Sequence, residues 1–258
     1  MSTPATPVVR RFAPGPGRDF VIGDLHGAFS LGTLEQVLEL VDFDTAVDRL
    51  FSVGDLIDRG EHSKDALALL RKPWFHATLA NHEELALDCY AGGVYDRNKV
   101  ALHVQKIGFG WWLDLSEETR QDFLDAFARL PLAIEVEAAI GLVGIVHADV
   151  PEGWTWPEFT EQLEAGNSAA RNYALWSRER IEDRQDASGV AGVARVYVGH
   201  TPLFNGVRKL GNVWYIDTGA VYGVRGVAPE GHLSLLELTV SEQAAGSPLR
   251  LAHVAIYR

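Results

Sequence analysis

Short apolar runs that break off at Gly-Asp, or at a histidine, recur along this chain and organise its reading. Residues 20–22 run into Gly23-Asp24-Leu25-His26-Gly27, and residues 47–53 into Gly54-Asp55-Leu56-Ile57-Asp58-Arg59-Gly60. An apolar stretch of this length stopped by glycine predicts a buried strand entering a tight turn. Between the two, Phe29, Leu31, Leu34, Val37, Leu38 and Val41 fall at helical spacing, with Ser30 placed to cap the first turn. Residues 62–70 predict a second helix, capped by Ser63 and stopped at Lys72-Pro73. Residues 74–79 predict a third strand, ending at Ala80-Asn81-His82-Glu83, and residues 84–90 a third helix. Strand then helix, three times over, is the signature of a layered α/β fold with a mainly parallel core.

Residues 98–107 and 117–130 continue as helices around Trp111-Trp112, a pair read as packing. After Pro131 the pattern changes. Residues 134–136, 141–146, 193–198, 213–216, 233–238 and 251–256 are short β-branched runs, which predict a second, more antiparallel sheet packed on the first. Among them, residues 154–180 form a polar, Trp-rich insert with helices expected at 156–164 and 168–180.

Composition adds bounds. The chain has 258 residues, 47% hydrophobic and 22% charged, which suits one domain with a sizeable core. The expected organisation is a flexible tail over residues 1–18 and a single domain over 19–258, with the insert at about 151–190. A formal charge of −12 argues against nucleic acid or an anionic membrane surface as partner, but not against a phosphate substrate brought in by cations. No apolar run reaches the length of a membrane span, and residues 1–7 do not read as a signal peptide. With Cys89 as the single cysteine, no intrachain disulfide forms, and a cytoplasmic setting is expected.

Six groups stand at junctions from apolar to polar sequence: Asp24, His26, Asp55, Asn81, His147 and His200. Asp217, in Ile216-Asp217-Thr218-Gly219, stands at a similar one. Any one of these is ordinary, since a strand-end aspartate commonly caps a turn. Their recurrence with carboxylate, amide and imidazole donors and no thiolate suits Mn, Fe or Zn. Six ligands exceed one metal and match two, with Asp55 placed to bridge. Arg59, four residues beyond Asp55, is a planar donor suited to phosphate oxygens. His82 follows Asn81 directly, where it could protonate a leaving oxygen with Asp58 orienting it.

Gly-Asp-x-His-Gly, Gly-Asp-x-x-Asp-Arg-Gly and x-Asn-His-Glu, in this order, resemble the calcineurin-like metallophosphoesterases. Within them the chain looks like the bacterial and phage branch of the serine/threonine phosphoprotein phosphatases, the lambda-phage phosphatase type. The likeness runs from Phe20 to about Tyr222 and takes in His147-Ala148-Asp149, Trp176-Ser177-Arg178-Glu179-Arg180, Gly199-His200-Thr201-Pro202 and Asp217-Thr218-Gly219-Ala220. It implies an α/β sandwich of two mixed β-sheets flanked by helices, with a binuclear site at the C-terminal ends of strands. It assigns Asp24, His26 and Asp55 to one divalent ion, and Asp55, Asn81, His147 and His200 to the other, with manganese first and iron or zinc as alternatives. His82 becomes the general acid paired with Asp58, while Arg59 and Arg178 become phosphate clamps, and water activated by the ions attacks phosphorus in line.

The implied substrate is a phosphorylated protein or peptide, or a small phosphoester. Hydrolysis of a dinucleoside tetraphosphate, and a degenerate regulatory domain, are the alternatives. In this branch the third motif usually begins Arg-Gly, whereas here it begins Leu79-Ala80. That departure implies a missing cation near the substrate entrance.

Overall fold

The computed structural model describes residues 7–184, 186–240, 249–251 and 253–257. In chain order, β1 is Val9–Phe12, β2 Asp19–Ile22, α1 Leu31–Glu39, β3 Arg49–Ser52 and α2 Ala66–Leu70. Next come β4 Phe75–Ala77, α3 Asn81–Asp88, α4 Arg97–Ile107, α5 Glu117–Phe127, β5 Ala133–Ala138 and β6 Gly141–Val146. The insert supplies α6 Trp156–Glu164 and α7 Ser168–Trp176. The remainder is β7 Arg195–Val198, β8 Arg208–Leu210, β9 Val213–Tyr215, α8 Ala220–Val224, β10 Leu233–Glu237, β11 Leu249–Leu251 and β12 Val254–Tyr257.

Two six-stranded mixed sheets form, ordered β11-β12-β10-β2-β3-β4 and β1-β5-β6-β7-β9-β8. Side chains alternate between strand faces, so each strand feeds two apolar layers. From β2, Val21 enters the layer between the sheets, while Phe20 and Ile22 enter the layer under α1 to α5. From β7, Tyr197 points between the sheets, and Val196 and Val198 pack under α6 and α7 beside Trp156, Phe159 and Leu175. No helix among the described residues is long and apolar enough to cross a membrane.

Four expectations change. Residues 9–12 are not a flexible tail: β1 pairs in parallel with β5, Val9 opposite Ala133, and so belongs to the domain. The second sheet is not the more antiparallel one, because β1–β5, β6–β7 and β7–β9 are parallel and only β5–β6 and β8–β9 antiparallel, the same balance as in the first. The chain's last strands return to the first sheet, where β10 pairs antiparallel with β2. Period-two alternation marks a strand but does not choose its neighbour. Lastly, Ser63 is no helix cap; its hydroxyl accepts from Asp58 N (2.9 Å) instead.

The insert's tryptophans divide between two roles. Trp156 is fully buried, its ring over Gly144 and its Nε1 donating to Glu135 (2.8 Å), whereas Trp176 is 39% exposed near His200. Beyond α7 a wide turn over Glu179–Arg184 buries Arg180, whose guanidinium meets Asp149 (3.1 Å), Asp186 (2.6 Å) and the Val150 carbonyl (3.1 Å). Tyr215 also donates to Asp149, at 2.7 Å. Arg180→Ala leaves that carboxylate buried and short of its cation, which is expected to lower unfolding free energy by about 3–5 kcal/mol in urea titrations. A midpoint equal to that of the parent would show the pair contributes nothing.

Candidate metal centre

All the sequence-predicted groups reach one end of the sandwich. The ends of β2 and β3 carry Asp24, His26 and Asp55, and the first turn of α3 carries Asn81 and His82. The parallel strands β6, β7 and β9 lead to His147, His200 and Asp217 from the other sheet. The turns interlock, since Leu25 N and His26 N both donate to the Asp55 carbonyl (3.1 and 2.8 Å). The two sheets meet so closely here that a side chain at Gly23 would strike the Ile216 carbonyl at 2.3 Å, and one at Gly199 would strike Asp24 Oδ1 at 2.0 Å. Five of the residues in these turns, His26, Asp55, Asp58, Arg59 and His200, adopt positive φ, between 45° and 75°. Non-glycine residues rarely take that conformation, and its clustering at one site marks strain held in place by the surrounding fold.

Two groups of donor atoms form, His26 with Asp55 and His82, and Asp55 with His147 and His200, each within 4.8 Å and wholly buried. Asp55 belongs to both. Its Oδ2 lies 3.3 Å from His26 Nε2, 3.6 Å from His147 Nε2 and 4.0 Å from His82 Nε2. Its Oδ1 accepts from His82 N (3.2 Å), so it also satisfies a backbone donor at the start of α3.

The residues fit divalent cations. His26 Nδ1 donates to the Ile57 carbonyl and His147 Nδ1 to the Val53 carbonyl, both at 2.8 Å, which fixes each tautomer and leaves a lone pair on Nε2. His147 Nε2 then faces Asn81 Oδ1 at 2.7 Å and His200 Nδ1 at 3.2 Å. Burial lowers His26 to about 4, His147 below its ordinary value and His200 to about 2, so all three imidazoles are neutral, the form that can ligate a cation. Asp24 Oδ2 accepts from His200 N (3.0 Å), while Oδ1 is buried with no hydrogen-bond partner among the described residues. An orphaned buried oxygen in a native fold calls for a partner such as an ion. Burial, then the charges of Asp217 and Asp55, pushes the Asp24 carboxyl well above its usual range, and burial brings Asp217 to about 6. A cation offsets that repulsion.

Beside these donors stands a polar pair. His82 Nδ1 donates to Asp58 Oδ2 at 2.6 Å. Burial disfavours the imidazolium, but Asp55 and Asp58 outweigh it and hold His82 above its ordinary pKa. The Arg59 guanidinium contacts His26 Nε2 with one nitrogen, lies 3.0 Å from His82 Nε2 with the other, and rests 5.8 Å from the Tyr222 ring centre. Arg178 sits at the rim, bonded to the His200 carbonyl (3.2 Å) and to Glu182 (3.5 Å).

Leu79 corrects an expectation. It is buried in the apolar layer with Leu132 and Leu175. Ala80 keeps φ at −117°, where an extra methyl is tolerated.

Three contacts escaped the sequence reading. Glu83 accepts from Asp55 N (3.2 Å) and Leu56 N (2.9 Å), and burial with the Asp55 charge raises it to about 8. Ser63 steadies the backbone of Asp58, and Trp111 Nε1 donates to Asp58 Oδ1 (2.7 Å). Glu83 was within reach as the last residue of the Asn-His-Glu motif. Trp111, 53 positions from Asp58, carried no local signal.

Linked carboxylate and imidazole clusters at the strand ends of a two-sheet sandwich define a metal-dependent hydrolase with a candidate binuclear centre. The chain belongs to the calcineurin-like phosphoesterase family, which it matches over residues 20–222, and it is a metal-dependent phosphoesterase. It is similar to serine/threonine-protein phosphatase 1 of Salmonella typhimurium, 37% identical over 79% of this chain and 87% of that protein. A symmetrical bis(5'-nucleosyl)-tetraphosphatase of Methylococcus capsulatus is 36% identical over 52% of this chain and 44% of its own length. Among solved structures, that of a putative diadenosine tetraphosphatase shares the fold with a TM-score of 0.58, at 21% identity over 88% of this chain and 91% of that one.

Proposed function

We propose that the protein is a phosphomonoesterase of the lambda-phage phosphatase type, acting on phosphoserine or phosphothreonine in proteins. The observation that carries this reading is the buried His82–Asp58 pair, set 4.0 Å from the shared Asp55 oxygen and in contact with Arg59. Asp24, His26 and Asp55 would hold one divalent cation, and Asp55, Asn81, His147 and His200 the second. Two such ions, with manganese the first candidate and iron or zinc the alternatives, would supply activation of water and charge stabilisation at phosphorus. Arg59 grips non-bridging phosphate oxygens, and Arg178 closes on them from the rim. His82, kept protonated by its two carboxylate neighbours, delivers its proton to the departing serine or threonine oxygen. The likeness to the Salmonella phosphatase over most of both chains supports the same substrate class.

The partial match to a tetraphosphatase favours a second reading, in which the substrate is a dinucleoside tetraphosphate. A panel of phosphothreonine peptide, phosphotyrosine peptide, p-nitrophenyl phosphate and dinucleoside tetraphosphate, run with saturating manganese, separates the two. Preference for the nucleotide overturns the first reading, and silence on every substrate overturns both. Chelation followed by desalting is expected to lower p-nitrophenyl phosphate turnover at least about a hundredfold, with manganese restoring it. Turnover unchanged by thorough metal removal, checked by elemental analysis, would contradict the metal assignment.

A further inference from the structure

A groove opens beside Arg59, between the turn Gly60–His62 and α8, and is lined by Arg59, Glu61, His62, Val221, Val224 and Arg225. We propose that it binds an acidic side chain of the substrate peptide next to the phosphorylated residue, with Arg225 as the recognising cation. The inference rests on the protein-phosphatase reading above.

Three observations meet here. First, the groove is continuous with the reacting centre through Arg59, whose guanidinium lies against both His26 and His82 and over the ring of Tyr222 in α8. A group protonated by His82 leaves on this side, so the peptide attached to it extends toward Arg59 and the groove.

Second, the local charge runs against that of the molecule. The chain carries 35 acidic and 23 basic side chains, and Arg11, Arg18, Arg49, Arg71 and Arg171 are each paired with a carboxylate. Arg225, exposed at the end of α8, has no carboxylate partner among the described residues, and Glu61 is the one acid among the residues lining the groove. On a chain of net charge −12, a cationic groove beside the site is what admits an anionic peptide segment.

Third, Val224 is 41% exposed beside Arg225. An apolar shoulder next to a guanidinium suits the methylenes and carboxylate of an aspartate or glutamate side chain.

The test compares two phosphothreonine peptides, identical except that the residues flanking the phosphothreonine are aspartate in one and asparagine in the other. The manganese-loaded full chain and its Arg225→Glu and Arg225→Lys variants are assayed on both, with p-nitrophenyl phosphate and dinucleoside tetraphosphate alongside. The parent is expected to prefer the acidic peptide, and Arg225→Glu to lower the acidic-to-neutral ratio of kcat/KM by about tenfold. Arg225→Lys keeps a preference of the same sign. An identical ratio in the parent and Arg225→Glu overturns the groove assignment alone. A change confined to dinucleoside tetraphosphate overturns the peptide as occupant. Turnover of p-nitrophenyl phosphate by the parent without turnover of either peptide overturns the underlying protein-phosphatase reading, and this proposal with it.

Discussion

Asp55→Ala is expected to bring bound metal from two ions per chain to well under one, and to lower phosphoester turnover by at least about a thousandfold, some 4 kcal/mol. The reason is geometric. One oxygen of this carboxylate faces donor nitrogens from three histidines, at 3.3, 3.6 and 4.0 Å, in both donor groups at once. No other side chain belongs to both groups. The three imidazoles in turn hold Asp55 well below the ordinary carboxylate range against the effect of burial, so its charge is the one fixed negative charge common to the two positions. Asp55→Asn is the sharper variant, because it keeps an oxygen in place and removes the charge. Elemental analysis beside circular dichroism separates metal loss from unfolding. Two equivalents of metal retained by the alanine variant would remove Asp55 from the bridging position.

His82→Asn is expected to leave metal content unchanged and to slow release of alkyl leaving groups by about 100- to 10,000-fold, the range general acids supply. Turnover of p-nitrophenyl phosphate, whose leaving group departs without a proton, should fall far less. The selectivity follows from position, since His82 has its Nδ1 on Asp58 and its charged form favoured by two carboxylates. A competing outcome is built into the geometry, because His82 also clusters with His26 and Asp55 as a possible third donor. Loss of metal in His82→Asn would make it a ligand and leave the acid to be found elsewhere. A uniform fall across leaving groups would deny it the proton-transfer role.

The strand ends that build this centre were readable in sequence because their signals are local. Apolar runs stopped by Gly-Asp fixed β2 and β3, and Ser30 caps α1 through Thr33 N as its position suggested. Asn81 and His82 were legible as strand-end groups, but not as the first turn of α3, since nothing near them resembles a side-chain cap. Their helix begins instead on the Asp55 carboxylate, a partner 27 residues away from His82. The same limit hid Trp111 and β1. Val9–Phe12 contains Arg10 and Arg11 and follows a Ser/Thr/Pro-rich lead, and only pairing with β5 makes it a strand. Leu79 shows the converse error. A motif comparison placed a missing cation there near the entrance, while the side chain, two residues beyond the end of β4, lies in the core.

The left-handed backbone at His26, Asp55, Asp58, Arg59 and His200 bears on how such an enzyme ages in evolution. Each such residue holds on the order of 1 kcal/mol or more that glycine would release. Chemical identity at these positions therefore comes at a cost to folding. Drift at Arg59 toward glycine relieves that strain, whereas at Asp58 it also strips His82 Nδ1 and Trp111 Nε1 of their buried acceptor, at about 1–3 kcal/mol each. Strain and hydrogen bonding thus pull in opposite directions at Asp58, and folding itself favours the carboxylate there.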